Sequence, residues 1–260
     1  MRALVVAIAL MLPAAAGAAE NMEPIAPDRA GLSTSTSTVG AAAVQIETGL
    51  AYRYESIAGG LAERRFNVDL LARVGVTDRL DLGFLGDPVV RLRNDMDATG
   101  HGDFMLFGKY RFVDAPDDSP LPSLGVLPFV KLPVAEEPIG SGKTDAGVLL
   151  LASFGLPARL SLDLNAGLAA VGQSRPSGHR LQAQAAAGLS YDALEWLTLF
   201  TDLFYASKEE RAGRAGVVLD AGVLWRPTRD VALDLSAVTS LAGAGPDWAV
   251  RAGVSVRFGR

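Results

Sequence analysis

Cysteine is absent from the sequence. A disulfide framework, a thiol nucleophile and a cysteine-bound metal are therefore excluded. Histidine is nearly absent, with only His101 and His179 to serve as imidazole bases. Basic excess is lacking too: 24 Lys and Arg face 29 Asp and Glu, a formal charge of −5 without a basic tract. Such a balance gives nucleic acid nothing to bind. Mean hydropathy is high at +0.24. Past the N-terminus, however, no apolar run approaches the roughly twenty residues of a membrane-spanning helix. Whatever buries this apolar content does so in another way.

The stretch "LSLDLNAGLAAVG", residues 160–172, shows how. Leu160, Leu162, Leu164, Ala166, Leu168 and Ala170 alternate with the small or polar Ser161, Asp163, Asn165 and Gly167. Period-two alternation is a strand signal, since successive side chains point to opposite faces. The pattern then recurs along the chain. Val44, Ile46, Leu50, Tyr52 and Tyr54 alternate with Gln45, Glu47, Gly49, Ala51 and Arg53, and Phe66 to Val76 with Asn67, Asp69 and Arg73. Leu181 to Tyr191, Leu197 to Tyr205, Val217 to Trp225, Val231 to Ala237 and Trp248 to Phe258 repeat it. The segment "LGVLPFVKLPV" is the least polar, and its neighbour 146–154 alternates poorly. In all there are about twelve segments, most near the length of a tilted membrane strand.

The connections carry a second signal. Links such as "TDR", "LPAR", "DALE" and "PTRD" are short, with "DAPDDSPLP" a longer exception. The alternate links, "ESIAGGLAER", "RLRNDMDATGHGD", "AEEPIGSGKTD", "GQSRPSGH", "SKEERAGR" and "AGAGPD", are longer and polar. Short turns at one end and long loops at the other mark an outer-membrane barrel. Lipid cannot satisfy backbone N–H and C=O groups, so strands cross it only in a closed barrel, one face to the acyl chains and the other to the lumen. The reading is all-β: a transmembrane antiparallel up-and-down barrel with both termini in the periplasm. Aromatic residues are scarce at 7%, so their placement is informative. Tyr52, Tyr54, Tyr110, Phe112, Tyr191, Tyr205, Trp225, Trp248 and Phe258 fall near strand ends, where interfacial girdles lie.

Residues 1–19 have the basic start, apolar core and small-residue close of a secretory signal peptide. Residues 20–43 are rich in Pro, Ser and Thr without periodicity; they read as a mobile or extended periplasmic segment able to plug the lumen. Residues 44–260 are the barrel. Parity puts Glu47, Arg53, Asp69, Arg73, Asp81, Lys109, Arg111, Lys131, Asp163, Asn165, Arg180, Gln182 and Gln184 toward the pore, and likewise Asp202, Asp220, Arg226, Asp234, Arg251 and Arg257. Their signs nearly balance, so most are expected to pair across neighbouring strands. Inward-leaning Leu71, Leu85, Phe200 and Phe204 suit a less polar solute.

Some motifs resemble a family. The lead-in "PDRAGLSTSTSTVGAAAVQIETGLAYRY", the hairpin Val74–Leu82 ("VGVTDRLDL"), the strand Gly102–Arg111 ("GDFMLFGKYR") and "LPFVKLPV" resemble outer-membrane proteins of the meta-pathway-of-phenol-degradation, or "transporter", family. The loop "LPVAEEPIGSGKTD" departs from that family's simpler "LPTG". The resemblance implies a barrel that passes small molecules, hydrophobic or aromatic ones among them.

Catalytic and metal sites are weakly encoded. Ser177 lies two residues from His179 without a third group or oxyanion donor. Asn94, Asp95, Asp97, Thr99, His101 and Asp103 have partial calcium-loop spacing without a closing carboxylate. "GSGK" lacks the spacing of a phosphate loop. The expectation is a non-enzymatic channel of the Gram-negative outer membrane, reached by Sec-dependent export, with no cofactor or bound metal. Its partners are outer-membrane lipids, a small solute and the barrel-assembly machinery during insertion, and no nucleic acid. The alternatives are a non-conducting surface barrel and, behind it, an outer-membrane lipid hydrolase.

Overall fold

The structure, a computed structural model, describes residues 23–57, 61–94, 97–116, 119–174, 177–209 and 213–259. The expected signal peptide lies outside the described residues. All regular structure among the described residues is strand: β1 (Val44–Ile57), β2 (Leu61–Thr77), β3 (Leu80–Arg93), β4 (Ala98–Gly100), β5 (Phe104–Val113), β6 (Ser123–Leu132), β7 (Asp145–Leu156), β8 (Leu160–Ser174), β9 (Ser177–Leu194), β10 (Leu197–Ala206), β11 (Gly216–Thr228), β12 (Val231–Gly243) and β13 (Trp248–Phe258). Strands consecutive in the chain pair antiparallel, except that β4 and β5 both pair with β3, and β1 pairs with β13, so the sheet closes on itself. Closure leaves no unpaired edge, which is what a hydrocarbon environment demands.

The element β4 is not a separate stave. Val90 pairs with Gly100 and Gly86 with Phe104, so β4 and β5 run in one register along the same edge of β3. They are one strand, interrupted at His101–Asp103, opposite Asp87–Val89. Pro88 is the cause: it has no N–H to give the ladder, and its stretch of β3 bulges against β2 between Leu70 and Val68. Thirteen elements thus make a barrel of twelve strands.

Alternation maps onto the wall. The outward Leu50, Leu82, Leu150, Leu181 and Leu235 are each more than half exposed, whereas Gln45, Glu47, Arg73, Asp81, Lys109 and Asp220 on the other face are buried. Outward aromatic residues gather toward the strand ends; Trp248 stacks with Tyr54 at 5.8 Å and lies 5.5 Å from Tyr52. The longer links differ from the sequence expectation. "ESIAGGLAER", the first residues of "RLRNDMDATGHGD" and "GQSRPSGH" are mostly continuations of the hairpins β1–β2, β3–β4 and β8–β9. There the backbone ladder continues while hydropathy stops alternating, because past the lipid neither face has to be apolar. Ser177 and His179 accordingly sit on β9 rather than in a loop.

Candidate functional site

The site is the lumen, and its most built feature is the N-terminal segment inside it. Residues 23–43 have no regular structure, so their backbone groups need partners elsewhere. The inward side chains of the wall supply them. Ile25 N–H donates to the Arg229 carbonyl at 2.8 Å, and the Ile25 carbonyl accepts from Arg226 Nε at 3.1 Å. Gln45 and Arg73 donate to the Ala26 carbonyl. Arg251 donates to the Ala30 carbonyl at 2.8 Å. Thr34 exchanges two 2.8 Å bonds with the Asn165 amide, Thr36 N–H donates to Ser153 Oγ, and Val39 N–H to Asp81. Ser33 bonds Asp202 through both its N–H and its hydroxyl. The segment therefore crosses from the β11–β12 turn to β1 and β2, round to β10, β8 and β7, and back to β3. It rejoins the wall where Ala42 and Ala43 pair with Gly75.

Two charged clusters fix it. Arg73, fully buried, faces Asp28 at 3.0 Å, Glu47 at 3.0 Å and Asp81 at 3.6 Å, while Lys109 bonds Asp28 and the Ser37 carbonyl. Arg29 gives its backbone N–H to Glu47 and its guanidinium to Asp69 and Asp234. That guanidinium lies over Gly49 and Gly253, which are cross-strand partners; a Cβ on either would collide with it. Each of these buried charges faces an opposite one, which is what makes its burial tolerable.

The predicted pore-lining residues divide by partner. Glu47, Asp69, Arg73, Asp81, Lys109, Asn165, Asp202, Arg226, Asp234, Arg251 and Arg257 contact the segment, Arg257 through the Glu23 carbonyl. The rest find partners on or near the wall. Arg53 pairs with Glu55, Arg111 with Asp114, Lys131 with Asp103 and Asp145, and Asp220 with Arg251. Asp163 accepts from Ser153, Arg180 donates to the Lys208 carbonyl, Gln182 to the Ser207 carbonyl, and Gln184 to Gln182. Parity located these side chains. It could not supply Asp28 and Arg29, whose segment has no period, and so the partner expected on a neighbouring strand is often the segment. The one available signal was inward glycine at 49 and 253.

A second feature was largely invisible in sequence. Leu71, Phe107, Leu127 and Leu151, with Leu85, Phe129 and Leu149 against them, form an apolar cluster on the inner face of β2, β3 and β5–β7. Phe107 lies over Gly83, where a Cβ would strike its ring. Phe200 packs instead with Ile25, Ala30, Leu224 and Ala232. Between the segment and β5–β11 a cavity of about 670 Å³ remains, lined by Ser33, Ser153, Ser161, Asp163, Ser190, Thr198, Phe200, Arg111 and Arg226 among others. Among the described residues no group of carboxylates or imidazoles is placed to hold a metal. Of the partial calcium loop, Asp95 lies outside the described residues, and Asp103 pairs with Lys131. His101 stacks on Phe104.

This closed barrel has counterparts. Residues 27–258 match the model of the family described as "Putative MetA-pathway of phenol degradation", and the chain belongs to that family. Among solved structures it is similar to an outer membrane channel from Pseudomonas putida F1, at 13% identity and a TM-score of 0.74, over 90% of this chain and 100% of that one. It is also similar to the NanC porin (11% identity, TM-score 0.58, 81% and 98% covered) and the KdgM porin (12%, 0.55, 82% and 99%). These likenesses establish the fold. No curated protein sequence matches.

Proposed function

We propose that the protein is a channel of the Gram-negative outer membrane, with both termini on the periplasmic side, through which small molecules pass without energy input. The single observation that carries this reading is the non-covalent seating of residues 23–39 inside a closed barrel, beside a cavity of about 670 Å³. A lumen of this kind narrows or opens without any change in the wall. The channels and porins of like fold support it, and a barrel of this size lies between filled eight-stranded barrels and open sixteen-stranded porins. In this reading residues 1–19 direct Sec-dependent export, and the barrel-assembly machinery inserts the chain among outer-membrane lipids. Phe154, Phe200 and Leu224 on the cavity's wall favour a solute with a hydrophobic or aromatic part. No catalytic step is assigned to the chain.

One observation favours a second reading, a non-conducting barrel: among the described residues the segment bonds ten of the twelve barrel strands, all but β6 and β9 when β4 and β5 are taken as one. Single-channel recording decides between them. Wild-type protein, shown to be folded by heat-modifiable gel mobility, is compared with a variant lacking residues 23–39. The channel reading expects small discrete steps from the wild type and larger ones from the variant. Silence from both folded proteins would establish the non-conducting barrel.

A further inference from the structure

Nearly all lumenal cations are paired, whereas three on the outward face are not. Arg64 on β2 and Arg91 and Arg93 on β3 are exposed, and none has an ion pair or a side-chain hydrogen bond with a described residue. The bulge at Pro88 puts them together. On β3, Asp81, Gly83, Leu85 and Asp87 face inward. Uninterrupted alternation would carry residues 89, 91 and 93 inward as well. The register shift reverses this: Val90 and Leu92 are buried, and Arg91 and Arg93 point out.

Cross-strand register then sets their neighbours. One row around the barrel reads Trp248, Tyr54, Arg64, Arg93, and the next Val250, Tyr52, Phe66, Arg91, Thr99. The three guanidinium groups thus lie on strands beside the Tyr52–Tyr54–Trp248 girdle, Arg64 just past Phe66 on β2. Below them, outward residues from Phe66 to Val76 on β2 cover an apolar band roughly 25 Å tall. Girdle aromatics lie at headgroup depth, and planar guanidinium forks match phosphate oxygens. The cluster is at the long-hairpin end, opposite the termini.

We propose that Arg64, Arg91 and Arg93 form a docking site for the phosphate of an outer-leaflet phosphoglycolipid, its acyl chains lying on Phe66, Val68 and Val89. The proposal rests on the membrane placement argued above, and it does not require that the lumen conduct. The Pro88 bulge thereby converts two residues of the pore wall into a lipid contact on the outside of the barrel.

The test is native mass spectrometry of the full mature chain in detergent, titrated with lipid A bearing two phosphates, with the same lipid after dephosphorylation, and with inorganic phosphate. Wild-type protein is expected to retain the bisphosphorylated lipid. Each Arg→Gln change at 64, 91 or 93 weakens retention about fivefold, in line with the value of one basic side chain near an anionic surface. The Arg64→Lys, Arg91→Lys, Arg93→Lys variant keeps the charge and restores part of the binding. Arg79→Gln with Arg159→Gln, at the opposite rim, leaves retention unchanged. Equal retention by wild type and the triple Gln variant overturns the proposal, as does equal retention of the dephosphorylated lipid. Inorganic phosphate bound as tightly as the lipid would assign the site to a free anion instead. Single-channel conductance of the triple Gln variant should match wild type, so a failed lipid site and a failed channel reading give different results.

Discussion

The β13–β1 side of the lumen and the β5–β7 side face the same interior with opposite chemistry. On the first, Glu47, Gln45, Arg251 and the glycine pair Gly49–Gly253 hold the N-terminal segment through charge and hydrogen bonds. On the second, Phe107, Leu127, Phe129, Leu149 and Leu151 touch one another. The difference shows how a barrel interior is specified. A charged wall has few acceptable arrangements, because each buried charge requires its partner at a fixed place, whereas an apolar wall tolerates any filling of the same volume.

The largest expected effect is at Arg73. Arg73→Ala leaves Asp28, Glu47 and Asp81 without their shared cation and should cost about 4 kcal/mol, read as a lower urea midpoint of the refolded barrel. Arg73→Lys should recover little of it, since one ammonium cannot reach three carboxylates as a planar fork does. Phe107→Ala should follow, at about 3 kcal/mol for the emptied volume, while the near-isosteric Leu127→Met should cost under about 1.5 kcal/mol. If Leu127→Met proved as damaging as Arg73→Lys, the contrast between the two walls would collapse. Gly49→Ala comes next, pushing a methyl group into the Arg29 guanidinium for about 2 kcal/mol. It should also expose residues 23–43 to added protease, which Gly83→Ala, beneath Phe107, should not. The smallest effect is at the rim: Asp230→Asn breaks its pair with Arg257, and an exposed pair of this kind is worth about 0.5 kcal/mol.

The same contrast explains what the sequence revealed. Strands β1, β8 and β11–β13 were legible because a polar lumen opposite a lipid face produces period two. Strand β7, "DAGVLLLASFGL", was not: Leu149 and Leu151 point in while Val148 and Leu150 point out, so both faces are apolar and the period vanishes. The hairpins past the lipid lost their signal for the converse reason. In the candidate site, parity located the charged side chains but not their partners, since Asp28 and Arg29 lie in a segment whose conformation is set by the wall it meets. Arg91 and Arg93, read as the start of a polar link, lie instead on β3 beyond the bulge. The bulge at Pro88 changes parity mid-strand, and a local rule cannot carry its count across that break.

Arg29 also bears on the order of assembly. Its guanidinium reaches Asp69 on β2 and Asp234 on β12, and so spans the β1–β13 seam where the two ends of the chain meet. Pairing across that seam has the greatest sequence separation in the molecule and the highest cost of loop closure. A side chain attached ahead of the first strand and gripping the twelfth acts as a tether on that step. Docked early, the segment shortens the search for that seam, so the same residues that fill the finished lumen also draw the two ends of the barrel together.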